Sequence, residues 1–146
     1  MSPTDIHNSV HNAATGYWSI GAHSQAPSTA ICAYDGSFSA GLLEAACQIA
    51  IEKRPVLLVT VDLPYPPPLA PHRPVRHGFA AALALEPGAG LEVTLDGAAP
   101  DSLPLKDFEG NAAAAALLLL AELARPGEAL VRLPLTERSL QVRKRG

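Results

Sequence analysis

The chain has 146 residues, 48% of them apolar and 17% charged, with a formal net charge of −3. That length and balance suit one globular domain with a core, and the weak negative charge excludes a general electrostatic footprint for nucleic acid. Two cysteines, Cys32 and Cys47, sit in apolar runs with no secretory signal ahead of them, so both are expected as small buried thiols in a reduced, cytoplasmic setting.

In chain order, Ser2-Pro3 followed by Asp5 predicts a capped helix start, and Ile6, Val10, Ala13, Ala14, Tyr17 and Trp18 continue at helical spacing towards Gly21. The stretch STAICAY (28–34) reads as a strand, Asp35-Gly36 as the turn after it, and 37–53 as a helix with Phe38, Leu42, Ala45, Ala46 and Ile49 on one face. The run RPVLLVTVDLP suits a strand buried on both faces. The proline-dense 64–74 segment reads as a loop. Strands are expected at 77–88 and 90–97, with turns at Pro87-Gly88 and Asp96-Gly97, and a loop at 100–111. An alanine/leucine helix (112–124) and a last strand (128–136) complete the pattern, and the terminal RKRG reads as a solvated tail. The helix is too short, and too soon interrupted by Glu122, to cross a bilayer. This order predicts an α/β fold, with the first strand–helix–strand unit as a right-handed parallel crossover.

Several residues are candidates for chemistry. Ser39 stands two residues before Gly41, a partial match to the Gly-x-Ser-x-Gly elbow of hydrolases, but it falls inside the helix rather than at the bend. Cys32 could serve as a nucleophile if a histidine reached it. A small serine or cysteine acyl hydrolase or acyltransferase using Ser39 or Cys32 is therefore the alternative reading. His7 and His11, four apart on the expected helix, share a face but lack the further ligands that a metal needs, so no metal site is expected. Asp35 at a helix start explains itself as a cap.

From Ser2 to about Pro87 the chain resembles the β-ketoacyl synthase family of the thiolase fold. The resemblance rests on Ser2-Pro3, Asn12 and Gly16, Pro27-Ser28, the 28–34 stretch with its Asp35 bend, 54–62, and Arg73-Pro74 with Gly78-Phe79. It implies a partial thiolase-like fold, the N-terminal half of a ketosynthase, with a mixed, mostly parallel sheet. The family's catalytic cysteine falls on Asp35, and its His-Gly-Thr and Gly-His-Thr motifs are absent; His72 and His77 lie in a different motif. A carboxylate cannot carry an acyl thioester, so no catalytic residue is expected. That combination is similar to the chain-length factors, inactive subunits that pair with an active ketosynthase, and most of all to those of aryl polyene clusters.

The resemblance implies a heterodimer with an active ketosynthase, contact with an acyl carrier protein through that partner, and no cofactor. It makes 28–34 the interface edge and places Thr4, Asp5, Tyr34, Asp35 and Phe38 near the acyl tunnel. The family's first two strands have no counterpart. Either they belong to a part upstream of Met1, which is the expectation here, or the 28–34 strand lies directly beside 56–62.

Overall fold

A computed structural model describes residues 2–88, 90–98 and 105–146, which fall into two compact units, 1–31 and 32–146.

In the first unit, helix α1 spans Pro3–Asn8 and helix α2 spans Ala13–Gly21. The start of α1 is the reciprocal cap that its sequence predicts. Asp5 N–H donates to Ser2 Oγ at 3.2 Å, and Ser2 N–H donates to Asp5 Oδ2 at 2.8 Å. The single helix expected over this region is broken at Ser9–Asn12. The Ser9 hydroxyl and N–H both turn back to the Ile6 carbonyl and end the first helix. His7 and His11 therefore share no helix face. The hydrogen bonds from Ser2 hold the Asp5 carboxyl below its ordinary value of 3.8. A lowered carboxyl pKa gives stabilisation that is present above 3.8 and lost as pH falls through the lower folded value. Amide exchange at Asp5 and Ile6 should accelerate below about pH 3.8 beyond its intrinsic trend, and Asp5→Asn should remove that acid transition. An unchanged profile in the variant would exclude the cap as its source.

No strand forms at 25–33. Among the described residues no other strand pairs with it, and an extended segment without a ladder has nothing to hold its main chain. The expected parallel crossover is absent for the same reason.

The second unit holds helix α3 (Ser37–Glu52), strand β1 (Val56–Asp62), strand β2 (Phe79–Leu85), strand β3 (Leu91–Ala98), helix α4 (Ala116–Leu123), strand β4 (Ala129–Leu135) and strand β5 (Arg138–Lys144). A 3₁₀ turn at Tyr34–Gly36 leads into α3, and another at Ala112–Ala115 leads into α4. The strands make two sheets, β1-β2 and β3-β5-β4. All three pairings are antiparallel, so the mostly parallel sheet expected from the resemblance is corrected. Strand β2 follows β1 through the proline-rich connection and returns beside it. Strands β4 and β5 are joined by a two-residue hairpin, which can link only antiparallel strands.

Helix α3 buries Phe38, Leu42 and Ala45, three members of the face that its periodicity marks. They join Leu83, Ala115, Ala116, Leu119, Val131, Leu133, Leu140 and Val142 in the core. At Gly41 a Cβ would stand 3.1 Å from Leu58 Cδ1, so the missing side chain lets α3 settle onto β1. Strand β1 is buried on one face only. Thr60 turns inward, while Leu57, Val59 and Val61 are exposed. Both cysteines are exposed and unbridged, against the expectation of burial.

At the C-terminus the charged residues conceal a central strand. Leu140 and Val142 of β5 are buried between β3 and β4. Lys144 Nζ donates to the carbonyls of Glu122, Leu123 and Arg125, closing the end of α4 with a cation where the helix dipole is negative. Arg145 donates its N–H to Gly90 and its guanidinium to Glu92 at 3.0 Å. Asp96-Gly97 makes an irregularity within β3 rather than a turn. Pro134 is tolerated in β4 because that strand is an edge. The loop expected at 100–111 lies outside the described residues up to 104.

Candidate functional site

The bend before α3 is built by short-range hydrogen bonds. Ser37 Oγ donates to the Tyr34 carbonyl at 2.6 Å and accepts from Ala33 N–H at 3.0 Å, which winds 33–37 into a tight turn. Tyr34 takes a left-handed conformation, φ +53°. A bulky residue there is strained, and such outliers gather where the surrounding structure demands a particular geometry. The demand comes from the tip of the β4–β5 hairpin, where Thr136 is also left-handed, φ +52°. A Cβ on Gly36 would stand 3.1 Å from Thr136 N and 3.2 Å from Leu135 Cα. Gly36 is thus the residue that lets the hairpin tip lie against the bend. Together they enclose a depression of about 490 Å³, lined by Ala33, Tyr34, Asp35, Gly36, Pro134, Thr136 and Glu137.

Asp35 does not cap α3, whose start receives no side-chain hydrogen bond. Its carboxylate accepts instead from Arg73 Nη2 at 2.6 Å. The same guanidinium lies over the Tyr34 ring, 4.2 Å from its centroid. The Arg73 side chain is 16% exposed and that of Asp35 64%. Burial alone would lower the Arg73 pKa. The hydrogen bond and charge of Asp35 outweigh it, with smaller contributions from Tyr34 and Tyr65, and the net shift is upward. Arg73 therefore stays charged at every working pH.

Because one partner faces water, the pair stabilises weakly. Arg73→Ala should lower stability by no more than about 1 kcal/mol, combining an exposed ion pair with a stacked cation. The difference between variant and wild type should shrink in 0.5 M salt (roughly a 4 Å screening length). Urea titrations at low and high salt would test this, and a salt-independent loss above about 2 kcal/mol would show that Arg73 acts through packing instead.

The residues singled out from the sequence fare differently. Tyr34 and Asp35 come together with Arg73, and both line the depression. Phe38, one turn on, is 1% exposed and belongs to the core, not to an open wall. Thr4 and Asp5 lie in the first turn of α1, in the other unit. Ser39 is fully buried, and its Oγ has no hydrogen-bond partner among the described residues. A hydroxyl in that position is not presented to a substrate. Cys32 is exposed in the irregular segment before the bend. Among the described residues no histidine hydrogen-bonds Cys32, Asp35 or Ser39, and no cluster with the makings of a metal site is found. The bend therefore offers a carboxylate tied to a guanidinium, with no nucleophile–base pair assembled beside it.

The partner of Asp35 and the hairpin wall are additions to the sequence reading. Arg73 lies 38 residues from Asp35, and in the sequence it stands out only as part of the Arg73-Pro74 pair. Thr136 ends the strand expected at 128–136, and its sequence lacks the glycine or asparagine that usually marks a left-handed turn position.

No helix among the described residues is long and apolar enough to cross a membrane. No curated protein and no solved structure matches the chain. A family model does: the beta-ketoacyl synthase N-terminal domain is matched over residues 1–133, nearly the full length, and the chain belongs to that family.

Proposed function

We propose that the chain is a non-catalytic ketosynthase-like subunit, a chain-length factor that pairs with an active β-ketoacyl synthase in fatty-acyl, polyene or polyketide synthesis. The observation that carries this reading is the state of Asp35. By motif it occupies the position of the family's nucleophile, and it is a carboxylate already engaged by Arg73. Neither group can form a thioester. The family membership supplies the biosynthetic setting. In this reading Thr4, Asp5, Tyr34 and Asp35 stand towards the acyl tunnel, Phe38 supports Tyr34 and Asp35 from the core, and acyl carrier protein is met through the active partner. No cofactor is called for.

Co-expression with the ketosynthase encoded nearest to it, followed by size-exclusion chromatography with mass determination, tests the pairing. A stable one-to-one complex is expected. Incubation with an acyl-pantetheine thioester and with a fluorophosphonate should leave this chain unmodified. A stoichiometric adduct on Cys32 or Ser39 would overturn the reading in favour of an acyl hydrolase or acyltransferase, and failure to form a complex would remove the partner.

A further inference from the structure

Tyr34 is held in a backbone state that its side chain disfavours. A left-handed φ at a bulky residue is less favourable than the ordinary regions by roughly 5- to 150-fold, and Tyr34 stands at φ +53°. Local bonds bracket the residue. Gly36 N–H donates to the Ala33 carbonyl at 2.9 Å, and Ser37 Oγ bonds Ala33 N–H and the Tyr34 carbonyl. These bonds close the turn, but none of them engages the Tyr34 ring or the Asp35 carboxylate. Both of those groups meet one guanidinium, that of Arg73, which lies 4.2 Å from the ring centroid and 2.6 Å from Asp35 Oδ1.

Arg73 is a fixed post. Val75, two residues on, is 7% exposed, and its N–H donates to the Arg73 carbonyl at 3.0 Å. The intervening Pro74 carbonyl is packed against Gly110, and the His77 carbonyl accepts from Asn111 Nδ2 at 2.9 Å. The bend has no such anchorage on its upstream side, where 25–33 joins no strand. Strain and clamp are also of the same order. An exposed ion pair with a stacked cation favours the clamped state by up to about fivefold, which matches the low end of the left-handed penalty. Losing the clamp is therefore enough to shift the balance.

We propose that the 33–36 bend is a two-state element: in one state Tyr34 and Asp35 are clamped on Arg73, and in the other Tyr34 relaxes to a negative φ. Tyr34, Asp35 and Gly36 form one wall of the depression, and the hairpin tip forms the other, so release of the clamp reshapes the depression. The carboxylate at position 35 then has a task of its own, as the latch of the bend. The device rests on contacts within this chain and holds whether or not a ketosynthase partner is found.

Nuclear magnetic resonance on the isotopically enriched chain tests it. One-bond Cα–Hα couplings separate positive from negative φ, and relaxation dispersion reports exchange between two states. Tyr34 of the wild-type chain should show the left-handed coupling. Asp35→Ala and Arg73→Met, the second of which keeps an unbranched apolar stem, should each raise the relaxed population by up to about fivefold. The change should appear as a Tyr34 coupling moved towards its negative-φ value and as exchange at the amides of Tyr34–Ser37. The amides of Leu119 and Leu133, both in the core, should stay quiet, which separates release of the bend from a general loosening. Asparagine accepts the left-handed region more readily than tyrosine, so adding Asp35→Ala to Tyr34→Asn should add no exchange. A left-handed coupling kept in full by both single variants, exchange that spreads to the core amides, or a double variant as mobile as Asp35→Ala alone would each overturn the proposal.

Discussion

Phe38→Ala should lower the stability of the chain by about 3–5 kcal/mol, the range for deleting a fully buried aromatic side chain. Phe38 is 1% exposed and packs with Leu42 from the same helix and with the buried leucines and valines of β4 and β5. Removing its ring strips apolar surface from the core and leaves a cavity that neighbours anchored in strands cannot collapse to fill. Against a typical total of about 5–15 kcal/mol, that loss is a large fraction, and the urea midpoint should fall accordingly. A loss below about 1 kcal/mol would mean that Phe38 lies outside a closed core.

The same placement bears on function. A change in product length in a reconstituted pair carrying Phe38→Ala would be ambiguous, because α3 and the bend at Asp35 rest on that core. Phe38→Leu keeps more of the volume and is the variant in which product length is better read, once an unchanged melting curve has been recorded.

What the sequence made legible was local. The 3.6-residue period of α3 marks Phe38, Leu42 and Ala45, and they are buried as marked. The Ser2–Asp5 cap is a four-residue pattern and forms as read. Strand β1 is legible as a strand, but its apolar residues occupy both faces, so alternation carries no signal about which face lacks a cover. The 28–34 stretch has the composition of a strand, yet a strand exists only with a neighbour, and composition does not name one. In β5 the alternation of Leu140 and Val142 was masked by the flanking charges, whose work is to cap α4 and to pair with Glu92. The candidate site depends most on contacts far apart in sequence. Asp35 is legible as a bend residue, but its meeting with Arg73 and with the Thr136 hairpin tip follows from tertiary packing alone.

Asn111→Ala should be the most damaging polar substitution, lowering stability by about 2–4 kcal/mol, because it leaves several buried main-chain groups unpaired at once. Asn111 is buried and stands where three elements converge. Its Nδ2 donates to the Asp62 carbonyl at 3.2 Å and to the His77 carbonyl at 2.9 Å, tying the end of β1 to the approach of β2. Its Oδ1 accepts from Ala114 N–H at 3.1 Å and caps the turn that leads into α4. Asp62 completes the junction by accepting from Ala112 N–H at 3.0 Å. The chain reaches Asn111 through Gly110, at φ +75°, where a Cβ would stand 2.7 Å from the Pro74 carbonyl; only glycine passes there without displacing main chain. Asn111→Asp separates the two roles of the side chain. It keeps an oxygen for Ala114 but replaces the donor with a second oxygen facing two carbonyls. If the donor role dominates, Asn111→Asp should be at least as destabilising as Asn111→Ala at pH 7 and should recover in part in mild acid, where a protonated carboxyl can again donate. If the aspartate variant matches wild type at pH 7, the bonds to Asp62 and His77 contribute nothing, and the junction is held by the Asn111 cap and the Asp62 carboxylate alone.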